Sequence, residues 1–277
     1  SLYSSTAFSQ SSVWKVSKGD KYFYLGGTVH LLNASDHPLP EEFSLAYQDS
    51  EKLIFETNMS ESNTPETQKK IIQAMLSQSG RTLQDELEPT TFDNLKNFLE
   101  SRQIPIDNFL QFQPWAVALT ISVIEYQRIG MVREYGVEEY YNKKAPIDNK
   151  QLGHLETIDE QLTFLESMSN IEPNIMIKYT LRDLKLLPEF SEFLKTSWRI
   201  GNIEAFTSHS LIVHMKSEFP VLYDTLITNR NNKWMADLLS LNNNDIIEFV
   251  LVGTLHINGK EGLLHQLRNA GYQINQL

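Results

Sequence analysis

A chain of 277 residues with 41% hydrophobic and 21% charged residues has enough apolar material to bury a core without covalent staples. Its net charge of −11, with no Lys/Arg-rich stripe, argues against a nucleic-acid partner, which needs cations against phosphate. It has no cysteine, so disulfides, thiolate catalysis and Cys-ligated zinc are excluded, while the redox compartment stays open.

In chain order, residues 1–13 are rich in Ser and lack an apolar h-region. With Ser rather than Met at position 1, they are compatible with the tail left by signal cleavage. Residues 13–16 and 21–25 are β-rich runs on either side of Ser17-Lys18-Gly19-Asp20, a hairpin-turn sequence. Residues 40–50 read as a helix and 52–55 as a short strand. Thr64 and Pro65 open another helix with a cap residue and a first-turn Pro; Gly80 closes it, and Ile72, Met75 and Leu76 supply its apolar face. From 91 to 145, Pro105, Pro114, Gly130 and Gly136 punctuate several helical segments. The most apolar run, 115–124, is about half of the ~20 residues that a membrane span needs, so it predicts a helix buried in protein and no transmembrane segment. Residues 150–155 read as a strand, and 158–241 return to helix with breaks at Pro173, Pro188, Gly201 and Pro220. The strongest strand signal is 245–252, whose continuous apolar end predicts burial on both faces. A helix over 260–270, a C-capping Gly271 and a final short strand close the chain.

Strands separated by helices predict an α/β fold. A central, mostly parallel sheet is expected from the N- and C-terminal parts (about 13–60, 148–158 and 244–277). A large helical insertion caps the cleft, all within one domain spanning 1–277. There is no solenoid period and no low-complexity segment.

One internal echo points to a site. Gly27-Thr28-Val29-His30 and Gly253-Thr254-Leu255-His256 each follow an apolar strand. Gly allows a sharp change of direction, and the His then lies beyond the carboxyl end of a strand, where open α/β sheets place ligands. Two carboxylates echo each other too: Glu56-Thr57 and Glu156-Thr157 end their own strands. If the four strands are parallel neighbours, two imidazoles and two carboxylates converge in an N/O site that suits a divalent metal, Mn²⁺ included. Taken singly, each His is better read as a satisfied core residue. A Glu at a strand end is harder to bury without a partner.

The same residues carry a family resemblance. Trp14-Lys15-Val16 followed by Tyr24-Leu25-Gly26-Gly27-Thr28-Val29-His30 resembles the opening of the TraB/GumN family, and Phe55-Glu56 its second block. Gly136-Val137-Glu138, with Leu155-Glu156-Thr157 and Gln161-Leu162, resembles its middle block. Trp198-Arg199-Ile200-Gly201-Asn202 resembles a later block, with Asn202 where the family usually has Asp. Asn229-Arg230-Asn231 with Trp234 resembles its arginine block, and Gly253-Thr254-Leu255-His256 with Gly262-Leu263-Leu264 and Gly271-Tyr272 its ending. The resemblance implies a place in the Tiki superfamily, whose members use paired GxxH motifs and a divalent cation, and which includes relatives of erythromycin esterases. By position it implies His30, Glu56, Arg230 and His256 as functional residues, with Glu156 second in rank. It also implies an extracytoplasmic setting, periplasmic or secreted.

Other features carry less. His154 precedes Glu156 by two residues and reads as a core or supporting histidine; His209 and His214, five apart, read as surface or packing residues. No HExxH, GxSxG, P-loop or dinucleotide fingerprint occurs. Arg230 reads either as a solvated helix start between Asn caps or as a fixed cation for substrate charge, and the resemblance favours the second, at the rim of the cluster. Trp115, Trp198 and Trp234 read as core. The expected function is metal-assisted hydrolysis, first of all of a peptide bond. His30 and His256 would ligate the metal or position its water, and Glu56 would be a ligand or the general base, with Mn²⁺ or Co²⁺ ahead of Zn²⁺. Glu56, Arg230 and Glu156 are the catalytic group, and Gly27, Thr28, Gly253 and Thr254 build the motifs. The rivals are a non-catalytic, PrgY-like protein that binds or sequesters peptides, and an esterase.

Overall fold

Runs of β-branched and aromatic residues form six strands: β1 (Val13–Lys18), β2 (Lys21–Thr28), β3 (Lys52–Thr57), β4 (Gln151–Glu156), β5 (Glu248–Gly253) and β6 (Gln273–Gln276). The structure, a computed structural model, describes residues 10–277, so most of the Ser-rich opening lies outside the described residues. The strands make one sheet in the order β4-β3-β5-β2-β1-β6. The neighbours β4, β3, β5 and β2 are parallel, whereas β1 runs antiparallel to both β2 and β6. The expected mostly parallel α/β sheet is what forms. Gly19, at a φ of 62°, makes the turn between β1 and β2.

β5 lies in the middle, and Phe249, Val250, Leu251 and Val252 are completely buried there. Phe249 and Tyr24 share one face and pack edge to face. Phe43 of helix Glu41–Asp49 and Tyr141 of helix Val137–Ile147 cover that face, with ring centroids 6.1 and 6.0 Å from Phe249. Phe23 points the other way, against Tyr272. The indole N–H of Trp198 donates to the carbonyl of Gly27 at 2.7 Å, and the Ser12 hydroxyl donates to the carbonyl of Trp198. These bonds tie helix Leu187–Arg199 to the segment leading into the first histidine motif.

The helical part comes as two excursions, residues 58–150 between β3 and β4 and 157–247 between β4 and β5. They share a second apolar cluster. Leu83, Leu95, Leu99, Trp115 and Ile121 come from the first excursion, and Met176, Ile177, Leu184 and Leu187 from the second. Other helical residues, Val137, Tyr141, Trp198, Trp234 and Leu238 among them, join the sheet core instead. Helix Pro114–Arg128 buries Trp115, Val117 and Ile121 as its apolar run predicted, and leaves Leu119 and Val123 partly exposed. Among the described residues no helix is long and apolar enough to cross a membrane.

Three boundaries differ from the sequence expectation, each for a local reason. Helix Pro65–Met75 stops well before Gly80 because Leu76 bridges to Phe112 and the Ser77 N–H donates to the carbonyl of Gln111. β5 starts at Glu248 rather than at 245: the Asn244 side chain accepts from the Ile246 N–H and donates to Glu248, an Asx-type turn that competes with the ladder. The last helix, Leu263–Asn269, starts late because Gly259, at a φ of 92°, and Gly262 close a turn first. His154 is also corrected. It is exposed rather than a core or supporting residue, because β4 is the edge strand and burial there begins only at Leu155. His209 packs on Phe193 and His214 is exposed, in line with their reading.

The Trp198 bond gives a stability test. Trp198→Phe keeps most of the buried ring and removes the donor to Gly27, with an expected loss of about 1–3 kcal/mol. Urea unfolding measures it; an unchanged midpoint and slope would show that this bond does not anchor the helix.

Candidate functional site

The four parallel strands end along one edge of the sheet, at Thr28, Thr57, Glu156 and Gly253. His30 lies two residues past β2, and His256 ends the short 3₁₀ turn Thr254–His256 past β5. The two Gly-Thr-x-His motifs are not in matching register. Thr28 pairs with Gly253 and Gly27 with Val252, a slip of one residue between equivalent positions. The two imidazoles therefore have different surroundings. His256 is buried, whereas the His30 side chain is 62% exposed in the cleft. The Thr254 hydroxyl donates to the carbonyl of Thr28 at 2.7 Å and ties the motifs together.

Arg230 is the hub. It sits in the first turn of helix Asn229–Ser240, directly after the π-helical turn Asp224–Thr228, and is buried. Its guanidinium donates to Glu56 Oε2 at 2.6 Å, and to Glu156 twice, at 2.5 and 3.1 Å. Nη1 lies 3.3 Å from His256 Nε2 and from the carbonyl of Leu226. Bidentate pairing of this kind suits Arg rather than Lys. The indole N–H of Trp234 donates to Glu156 Oε2 at 3.3 Å, and the Trp234 ring lies 4.5 Å from that of His256.

Neighbouring groups set the protonation states. Burial works against the Glu56 carboxylate, yet His256, Arg230, His30 and the Gly253 N–H, which donates to Oε1 at 2.7 Å, hold it down to about 2. Burial pushes His256 down to about 3; Glu56 offsets this in part, while Arg230 and His30 reinforce it. Its tautomer follows from the network. The Asn231 amide nitrogen donates to the carbonyls of His256 and Glu261, so its oxygen is left to accept from His256 Nδ1 at 2.7 Å, and Nε2 keeps its lone pair. The Glu138 carboxylate, whose Oε1 accepts from His30 Nδ1 at 2.7 Å, raises His30 to about 9. Glu156 is raised by burial, with Arg230 acting against it.

A Cβ built on Gly253 would stand 3.3 Å from both Glu56 Oε1 and His30 Nε2, and 3.7 Å from His256 Cδ2. The absent side chain thus leaves a small cradle ringed by two imidazoles and a carboxylate. Two of its members, His30 and Glu56, also line a cleft of about 310 Å³ that Gln68, Ile71, Gln161 and Leu165 from the two helical excursions share.

The structure brings His30, Glu56, Glu156, Arg230 and His256 together, with Gly27, Thr28, Gly253 and Thr254 shaping the backbone beneath them. Arg230 needs correction in place: it lies at the centre of the cluster, not at its rim, because two buried carboxyl groups at adjacent strand ends require a cation between them. Two residues went unread in the sequence, Glu138 and Asn231, which hold the Nδ1 atoms of His30 and His256. Both stand inside blocks already singled out, Gly136-Val137-Glu138 and Asn229-Arg230-Asn231, but neither is near its histidine in sequence.

The shifts fix a pH dependence. Glu56, depressed from 4.5 to about 2, contributes stability that is present above 4.5 and lost as pH falls through 2. His256, depressed from 6.5 to about 3, contributes stability that is present above 6.5 and lost on acidification through 3. His30, raised to about 9, has the opposite sign: its contribution is full below 6.5 and fades as pH rises through 9. The thermal midpoint should therefore drop between pH 6.5 and 4.5, and His256→Ala should flatten that segment. A wild-type midpoint level across it contradicts a buried neutral His256.

Residues 12–276 match the TraB/PrgY/gumN family. The chain is 22% identical over 250 residues to the uncharacterized protein YbaP of Escherichia coli (strain K12), a match that covers 90% of this chain and 89% of that protein. The same figures hold for the uncharacterized protein YbaP of Shigella flexneri. No solved structure matches the chain. The family match spans the sheet, both helical excursions and every residue of the strand-end cluster, and the chain belongs to the TraB/PrgY/gumN family.

Proposed function

We propose that this chain is a metal-dependent hydrolase, of the Tiki type, that acts on peptides at the Gly253 cradle. The observation that carries the reading is the ring around that cradle: His30 Nε2, Glu56 Oε1 and the edge of His256 face one point from three separate strand ends. An imidazole nitrogen and a carboxylate oxygen beside the edge of a second imidazole, in a chain without thiolates, suit a borderline-to-hard divalent cation, Mn²⁺ or Co²⁺ first and Zn²⁺ next. Among the described residues no three His, Asp or Glu side chains already stand at metal-holding spacing. The donor chemistry nevertheless fits, and His30, His256 and Glu56 would be the ligands. A bound cation supplies an acidified water and a polarised carbonyl.

The chain's own residues divide the remaining work. A carboxylate held near 2 is a weak base, so Glu56 serves better as ligand and orienting group than as proton acceptor. Arg230, with its donors committed to Glu156, Glu56, the Leu226 carbonyl and His256, keeps Glu56 ionised and fixes its position, so its positive charge acts on the site through that carboxylate. In the cleft, Gln68 and Gln161 offer amides, which can pair with peptide N–H and C=O groups, beside the apolar Ile71, Leu162 and Leu165. An extracytoplasmic location is part of the same reading.

The test is turnover. Chelator-treated protein is resupplied with Mn²⁺, Co²⁺ or Zn²⁺ and incubated with a peptide library, and products are read by mass spectrometry. The expected result is metal-restored cleavage in excess over protein, abolished in His256→Ala with the fold retained. Stoichiometric capture without cleavage would replace the hydrolase by a peptide-binding protein. A His256→Ala variant that unfolds on warming yet cleaves in the cold would make His256 structural.

A further inference from the structure

Glu138 is the one acidic group of the cluster that the reading above leaves without work, and the fold takes trouble to place it. It stands in the first turn of helix Val137–Ile147. Gly136, just before it, lies so close to the loop of the first motif that a Cβ would stand 2.1 Å from the carbonyl oxygen of His30. The Val137 N–H donates to the carbonyl of Val29 at 3.3 Å. Only a glycine lets the helix start press against the His30 loop in this way, and the result is a carboxylate delivered under the imidazole.

What that carboxylate does is lopsided. Oε1 accepts from His30 Nδ1 at 2.7 Å and also from the Thr28 hydroxyl. The Thr28 carbonyl in turn accepts from Thr254, so the carboxylate is linked through one threonine to the second motif. Oε2 is buried and has no partner among the described residues. A residue kept only to cap or charge the helix start would leave neither oxygen stranded, since exposed carboxylates in a first turn serve the helix dipole equally well. Neighbouring Glu139, half-buried in the same turn, has both oxygens paired, one with Arg133 and the other with Lys143.

We infer that Glu138 is a positioning residue for His30: it holds the ring through Nδ1 so that Nε2 faces the Gly253 cradle, and it makes His30 the more basic of the two imidazole donors. His256 is held at the same atom by the neutral amide of Asn231. A carboxylate raises the basicity of the ring it holds and an amide does so less, so the two motifs supply unequal donors. This rests on the cation reading proposed above.

The test is calorimetric titration of chelator-stripped protein with Mn²⁺, Co²⁺ and Zn²⁺, alongside the thermal midpoint of each metal-free protein. Glu138→Gln should weaken binding by about ten- to a hundredfold, and Glu138→Ala by more, whereas Glu139→Gln, which has the same place relative to the helix dipole, should bind like wild type. A purely structural Glu138 predicts the other pattern, lower midpoints with cation affinity unchanged, and that result overturns the inference. If Glu138→Gln is too unstable to titrate, Glu138→Asp keeps the charge but withdraws it from Nδ1; wild-type affinity there is equally fatal. A wild-type protein that binds none of the three cations removes the cation reading itself, and this inference with it.

Discussion

Glu56 and Glu156 end adjacent parallel strands, both are buried, and the guanidinium of Arg230 is what lets them stay there. Taking such groups out of water costs several kcal/mol apiece unless opposite charge and hydrogen bonds compensate, and stranding one by removing its partner costs about 3–5 kcal/mol. Arg230 spends its donors on both glutamates, on the Leu226 carbonyl and towards His256, so helix Asn229–Ser240 can start in only one place relative to the sheet. The cleft, the tautomer of His256 and the ionisation of Glu56 all follow from that placement.

The two Gly-Thr-x-His motifs look equivalent in sequence and are not equivalent in space. Their one-residue register slip puts Thr28, not Gly27, beside Gly253. One histidine therefore turns inward under Trp234 and takes an amide partner, while the other stays open to the cleft and takes a carboxylate. The pair is thus asymmetric, with one imidazole fixed and buried and the other accessible and held by a carboxylate.

Much of this was legible in the sequence because it is written in local pattern. An apolar run ending in Gly-Thr-x-His announces a strand and a residue beyond its tip, and apolar runs ending in Glu-Thr do the same for Glu56 and Glu156. Alternating strands and helices imply that those four strands run parallel, and they do. What stayed hidden depends on contacts across more than a hundred residues or on which edge is covered. Glu138 meets Thr28 only because a helix start docks on the first motif. The exposure of His154 follows from β4 being the outermost strand, which composition does not reveal. The central position of Arg230 could be guessed from its charge but not located, since its helix lies 74 residues beyond Glu156 and 174 beyond Glu56.

The proposed cation would sit where three strand ends meet at Gly253. Anomalous diffraction from Mn²⁺-soaked crystals of the wild-type protein and of Gly253→Ala tests it most directly, since the added methyl would occupy that point without disturbing β5 upstream. A single strong peak bonded to His30, Glu56 and His256 is expected in the wild type and none there in Gly253→Ala. A peak held by other side chains, or one that persists unchanged beside the new methyl group, would contradict it.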